Sequence, residues 1–462
     1  MGRSVQSFCR MLYESTRGQV RPHSFSEAVE AGLAADGGLF VPQTWPDLSA
    51  LLPTWEGLSY PQLAAQFLSR FAPEIELEEW QQLTAQAYSR FAAAEVAPLV
   101  KLDERTLVLE LWHGPTLAFK DFALQLLGLL YKRQVAQQGR RLAVLGATSG
   151  DTGSAAIAGC MGQPGIDIFI LYPQGRVSPL QERQMACTGA ANVHALAVPG
   201  FFDDAQRVVK DCFGDEGFVR EVNLSAVNSI NIARVLAQCV YYLWAWLRLP
   251  ASQRSTAEFV VPTGNFGNVL AGWWCQRMGM ACRGFRVATN HNDILHRFFS
   301  TGEYRQGELR SSHAPSMDIA AASNFERFLF EWQGRDAAKV RGLMARMKAG
   351  EVLSWPQPQT SIRSSRMDDA QIVQSIAEVW RRWGYVADPH TACAFTDMAP
   401  EGVSVILSTA SAAKFPEVVA QALGREVTHP TLEALKGLPL RSQPLAAEPA
   451  AVKAFVRAHL GA

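Results

Sequence analysis

Seven short runs of apolar and β-branched residues recur along the chain: TLVLELW (106–112), RLAVLGA (141–147), IDIFILYP (166–173), NVHALAV (192–198), EFVVPTG (258–264), GFRVATN (284–290) and VSVILST (403–409). At least one stretch with helical spacing separates each run from the next. Within the runs apolar side chains follow one another instead of alternating with polar ones, which predicts strands buried on both faces of parallel sheets. Such α/β folds bind ligands beyond the carboxyl ends of their strands, so the segments that follow the runs are where chemistry is expected.

The first hundred residues have another character. Ser24 and Glu27 have the spacing of a capping box before SEAVEAGLA, Gly37-Gly38 leads into LFVP, and a helical region rich in Ala, Gln and Glu follows over about 60–95. This predicts a separate N-terminal domain. From about 425 onward the chain reads as a Pro-containing linker and a terminal helix, AAVKAFVRAHL, with no chemical signal. No internal repeat or low-complexity tract interrupts the pattern.

A chain of 462 residues exceeds what one core usually organises, so two or three domains are expected. Lys and Arg (43) balance Asp and Glu (43), and no long like-charge run occurs, which argues against a nucleic-acid partner and for a small molecule. Cys9, Cys160, Cys187, Cys212, Cys239, Cys275, Cys282 and Cys393 are scattered, without C-x-x-C pairs or metal-ligand spacing. They read as reduced, mostly core thiols, with no metal site. The start lacks a signal-peptide core, Gln6 spoils a myristoylation context for Gly2, Met11 is an alternative start, and no run of about 18 apolar residues occurs. A cytoplasmic protein without membrane association is expected.

The distinctive segments follow the strands. After 106–112 comes His113-Gly114-Pro115-Thr116-Leu117-Ala118-Phe119-Lys120-Asp121-Phe122. A lysine between two phenylalanines at a helix start is either desolvated with a lowered pKa, as a Schiff-base lysine requires, or it snorkels to solvent. After 141–147 comes Thr148-Ser149-Gly150-Asp151-Thr152-Gly153-Ser154, either an anion site at a helix N-terminus or an ordinary capped turn. After 258–264 comes Gly264-Asn265-Phe266-Gly267-Asn268, a nest for a phosphate that is held and not transferred; it is neither a nucleotide P-loop nor a dinucleotide fingerprint. Asn228, Asn231 and Arg234 have the spacing of one helical face, and Arg234 either clamps a phosphate or belongs to a solvated face, the reading that spacing alone favours. Thr409, at the end of the last run, either meets a cofactor's ring nitrogen or caps a turn.

Taken in this order, the segments resemble threonine synthase of the bacterial and fungal type, with an extra N-terminal domain, within the fold-type II pyridoxal phosphate enzymes. The resemblance runs from YESTRG (13–18) through Ser316-Met317-Asp318-Ile319 and SNFER (323–327) to Thr409; HGPTLAFKDF and TSGDTG are its specific motifs, and GNFGN agrees with them. It implies two parallel-sheet α/β domains with pyridoxal 5'-phosphate in the cleft between them. Residues 96–125 and 241–425 would form the cofactor-binding domain, 126–240 a smaller mobile one, 1–95 the N-terminal domain and 426–462 a C-terminal extension.

The resemblance further implies that Lys120 carries the cofactor, that Gly264, Asn265, Phe266, Gly267 and Asn268 hold its phosphate, and that Thr409 faces its ring nitrogen. Thr116, Ser149, Asp151, Thr152, Asn228, Ser229 and Arg234 are the candidates for binding O-phosphohomoserine, which the enzyme, a monomer or homodimer, would convert to threonine. The chain departs from the family pattern T-A-H-P-A-K-F, having Ser411 and Ala412 in place of His and Pro. Two alternatives follow: a related lyase that releases an oxo acid or uses another phospho- or phosphono-amino acid, and a noncatalytic binding or regulatory protein.

Overall fold

All seven apolar runs are strands, and they divide between two sheets. The computed structural model describes residues 11–399 and 401–461, so the readings on Gly2, Gln6 and Cys9 fall outside the described residues. The larger sheet runs Ile362–Arg366, Gly284–Thr289, Glu258–Pro262, Ser404–Ser408, Thr106–Glu110, Leu99–Lys101, with every pairing parallel except the last. The smaller runs Gln443–Pro444, Val193–Val198, Ile166–Pro173, Leu142–Ala147, Leu224–Ala226, parallel throughout.

Ile406 sits opposite both Val108 and Val260. Those three pack on one side of the larger sheet with Met317, Ile372 and Ile376, while Leu109, Val261 and Leu407, one residue further along each strand, enter the core on the other side. Successive side chains point to opposite faces, and both faces are buried, which is why these strands read as unbroken apolar runs. Ile362–Arg366, with the sequence IRSSR, is an edge strand with exposed Arg363 and Arg366, so no such run announces it.

In the N-terminal region the capping box forms as expected: Glu27 N–H donates to Ser24 Oγ at 3.2 Å and Ser24 N–H to Glu27 Oε2 at 2.8 Å. The region from 60 to 95 holds two helices, Tyr60–Leu68 and Leu77–Tyr88. Their apolar side chains belong to the same cluster as those of Lys120–Gln138 and Ile232–Arg248, and the Tyr60 ring lies 4.9 to 5.3 Å from those of Tyr88, Phe122 and Trp244. At the other end of the chain, Gln443–Pro444 extends the smaller sheet, and Val452 and Val456 of helix Pro449–Leu460 pack on Val208 and Val209.

Helix Lys120–Gln138 leaves the larger sheet and crosses helix Asp151–Cys160 of the smaller one at a glycine contact. A Cβ on Gly159 would stand 2.2 Å from Leu124 O, and one on Gly128 would stand 2.1 Å from Gly159 O. No side chain fits there, so the helices meet backbone to backbone. Gly159→Ala is expected to lower stability by about 1–3 kcal/mol through overpacking, read as the denaturant midpoint. A gain in stability, as Gly→Ala gives on an open helix, would show that the two helices can part freely.

Candidate active site

The segments after four strands of the two sheets converge on Lys120. The loop 113–119 is folded back by Asp121, whose carboxylate accepts the Thr116 amide at 2.8 Å and the Thr116 hydroxyl at 2.7 Å. Burial pushes the Asp121 carboxyl up to about 6 against these hydrogen bonds. Lys120 is the first residue of its helix, and its side chain keeps 14% of its surface exposed. The amine points inward, 3.4 Å from Ser316 Oγ and 3.8 Å from Asp151 Oδ2. Burial brings it down to about 8; Asp151 opposes the shift, and Lys414 and Arg234 add to it. This is the desolvated lysine of the two readings, and the snorkelling one is excluded.

Asp151 stands at the start of the helix after strand Leu142–Ala147. Burial raises its carboxyl, but Lys414, then Lys120, outweigh that and hold it below the usual range. Lys414 Nζ, fully buried, lies 2.8 Å from Asp151 Oδ1 and donates to Thr116 O at 2.8 Å. Gln181 donates to Asp151 at 3.0 Å, and its side chain fills the space that a Cβ on Gly150 would need. The turn before Asp151 combines both readings of its sequence. Thr148 Oγ1 accepts the amides of Gly150 and Gly153, as a cap does, while those of Ser149, Asp151 and Thr152 have no acceptor among the described residues. Ser149 is exposed and Thr152 half-buried.

Gly264 to Asn268 form a turn into helix Gly267–Arg277, with Phe266 at φ 65°. The amides of Asn265, Gly267 and Asn268 have no acceptor among the described residues, and neither does the buried Asn268 Nδ2, while Asn268 Oδ1 is held by the Tyr241 and Tyr242 hydroxyls at 2.6 and 2.8 Å. Unmatched donors at a helix N-terminus fit a phosphate. Asn324 braces this turn, its amide donating to Asn265 O at 3.0 Å. Arg327, fully buried, in turn holds Asn324 Oδ1, Phe40 O and Ile230 O.

One expectation is corrected. Asn228, Asn231 and Arg234 do not share a helical face, because Asn231 Oδ1 accepts the Ala233 amide and caps the helix, which begins at Ile232. Asn228 lies exposed on the preceding loop. Ser229, half-buried, has its hydroxyl 3.3 Å from that of Ser323. Arg234 is buried, not solvated; it donates to Val227 O at 2.7 Å, its Nε lacks a partner, and burial brings it down to about 10.

Thr409 follows strand Ser404–Ser408 beside the lysine loop, its carbonyl accepting the Phe119 amide at 2.8 Å. Ser411, where the chain departs from the family pattern, accepts the Ala413 amide and caps the turn that presents Lys414. Sequence reasoning missed Asp388, His390 and Thr391. The buried Asp388 accepts from the His390 ring at 2.8 Å and from the Thr391 hydroxyl, and Thr391 Oγ1 accepts the Thr409 amide at 3.2 Å. His390 Nε2 accepts the Ser316 amide at 3.1 Å. The available signal was Asp388 before Pro389, a helix N-cap followed by Pro at the first position.

The chain is similar to known proteins over almost its whole length. Residues 93–402 match the family described as "Pyridoxal-phosphate dependent enzyme", residues 12–88 "Threonine synthase N terminus" and residues 390–456 "Threonine synthase, C-terminal". The threonine synthase of Pseudomonas aeruginosa is 45% identical, the match covering 97% of this chain and 98% of that one. The crystal structure of pyridoxal-phosphate-bound threonine synthase from Brucella melitensis superposes with a TM-score of 0.93 at 42% identity, covering 98% of this chain and 100% of that one. The yeast enzyme's structure gives 0.91 at 35% identity, covering 98% and 99%.

Lys414→Met would leave Asp151 with only the more distant Lys120 as a cationic partner. It is expected to cost about 3–5 kcal/mol in the cofactor-free chain, measured by denaturant unfolding, and Asp151→Asn in the same chain should recover part of that. No recovery would mean that Lys414 stabilises through Thr116 O and not through the carboxylate.

Proposed function

The chain belongs to the threonine synthase family, and from that premise we propose how its residues divide the conversion of O-phosphohomoserine and water into threonine and phosphate. The observation that carries the proposal is the buried Lys120 amine, brought down to about 8 and set between Ser316 and Asp151. An amine in that range can move protons near neutrality in both directions.

Pyridoxal phosphate, when bound, supplies the electron sink for the carbanions that the reaction requires. Lys120 would carry it, the unmatched donors of Gly264–Asn268 would hold its phosphate, and Thr409 would face its ring nitrogen. Lys120 Nζ would take the proton from the substrate's Cα and return protons later in the sequence. Lys414 and Arg234 give the site its positive charge, with Arg234 Nε and the amides of Ser149, Asp151 and Thr152 as donors for the substrate's phosphate or carboxylate. Ser149, Thr152, Asn228 and Ser229 supply hydroxyls and an amide at the more open side. Thr116 acts indirectly, holding Asp121 at the base of the lysine loop.

Neither alternative raised by the sequence is favoured. The Ser411 departure has a local account, since its hydroxyl caps the turn carrying Lys414, and a noncatalytic binder has no use for a buried, desolvated lysine. We place the enzyme in the cytoplasm, as a monomer or homodimer acting on a small molecule; no described helix is long and apolar enough to cross a membrane. Residues 126–240 would be the half that closes over substrate against 96–125 and 241–425, with 1–95 as N-terminal domain and 426–462 as an extension whose strand Gln443–Pro444 and helix Pro449–Leu460 would move with 126–240; water exclusion protects the reacting groups.

With pyridoxal phosphate and O-phosphohomoserine, the purified protein is expected to release phosphate and threonine in equal amounts, and Lys120→Ala to lower the rate by about 10²-fold or more. Phosphate matched by 2-oxobutyrate would make it a lyase. The rate at which the cofactor-free protein captures pyridoxal phosphate, followed by absorbance, should rise with pH through about 8, because the amine is nucleophilic only once deprotonated. A midpoint near the ordinary lysine value of 10.5 would show a solvated amine.

A further inference from the structure

We propose that Ser316 is a catalytic residue, its hydroxyl orienting the free amine of Lys120, and that His390 with Asp388 is the device that positions it; this rests on Lys120 being the reacting amine. Ser316 is the middle residue of the short turn Pro315–Met317. Its Oγ lies 3.4 Å from Lys120 Nζ and 3.4 Å from Asp151 Oδ2. An ionised carboxylate only accepts hydrogen bonds, so the serine O–H donates to Asp151 and its lone pairs take an N–H of Lys120. A neutral amine has two N–H bonds and one lone pair. Holding one N–H toward Ser316 turns the lone pair away from the Ser316 side, leaving it free to take a proton from substrate.

The turn is fixed from several sides. Its amide at Ser316 donates to His390 Nε2 at 3.1 Å. A backbone amide can only donate, so Nε2 is unprotonated and the ring proton is on Nδ1, which donates to Asp388 Oδ2 at 2.8 Å. Asp388 is fully buried and also takes the amides of His390 and Thr391 and the Thr391 hydroxyl, so it cannot swing away. On another side Gly264 allows the close approach, since a Cβ there would stand 2.5 Å from Ser316 O. Two residues on, Asp318 is held by Asn290, Asn292 and Ser312. Together these contacts fix the backbone from which the Ser316 hydroxyl projects.

The test uses the holoenzyme and the cofactor-free protein together. Ser316→Ala is expected to lower kcat by about 10- to 100-fold, the scale of a small misplacement of a reacting group, with KM changed less than about 3-fold. It should also slow capture of pyridoxal phosphate by the cofactor-free protein by about 10-fold, since the amine is no longer aimed. His390→Ala should lower kcat to a similar degree. His390→Gln, whose amide oxygen can accept the Ser316 N–H, should restore most of it, and it keeps the test available if His390→Ala does not fold. Placed in the Ser316→Ala chain, either His390 change should have an effect within about 2-fold, because both act through one hydroxyl.

Wild-type kcat and capture rate in Ser316→Ala would overturn the catalytic role. A His390 change that costs as much without the hydroxyl as with it would overturn the positioning link and leave His390 as a structural residue. Failure of the functional reading itself shows differently, as absence of threonine from the unaltered enzyme.

Discussion

The structure is organised around one carboxylate. Asp151 belongs to the smaller sheet, at the start of the helix after Leu142–Ala147, while Lys120 and Lys414 both follow strands of the larger sheet. Each charge alone would be costly to bury, and together they are tolerable only at close range. The group therefore ties the two sheets at the point where their carboxyl ends face each other. Gly150, the caps by Thr148 and Ser411, and the Gly128–Gly159 contact are the local conditions under which these three side chains can meet.

The buried lysine and carboxylate also explain why the chemistry belongs where it is. Desolvation brings the Lys120 amine down to about 8, and Asp151 moderates that shift without removing it. The Gly264–Asn268 turn is steadied from the far side by Asn324 and Arg327, and Arg327 reaches Phe40 in the N-terminal region. That region thus reaches the turn's support through the Phe40 carbonyl, while its Thr16 and Arg17 side chains hold Glu326, the neighbour of Arg327.

Much of this was legible in the sequence, for physical reasons. Strands covered on both faces leave unbroken apolar runs, so seven were visible, whereas IRSSR at 362–366, at the sheet edge with exposed arginines, left none. Lys120, the Gly264–Asn268 turn and Thr409 were visible because each sits in a local motif at a strand's end. Asp388, His390 and Thr391 were not, since the pairing of His390 with Ser316 joins residues 74 apart, and no local pattern encodes it. The spacing of Asn228, Asn231 and Arg234 misled because a side-chain cap at Asn231 overrode the helical period.

Among the described residues, the smaller sheet is completed by the strand furthest along the chain. Gln443–Pro444 pairs with Leu196 and Ala197, and helix Pro449–Leu460 covers the apolar side chains next to them. Until the ribosome has passed residue 444, this edge of Val193–Val198 has no partner within its own chain among the described residues. An unpaired edge strand is a template for a neighbour's strand, so nascent chains on one messenger are exposed to mutual pairing there until residues 443 and 444 have been made. A product terminated just before residue 443 would carry every residue of the active site and keep that adhesive edge permanently.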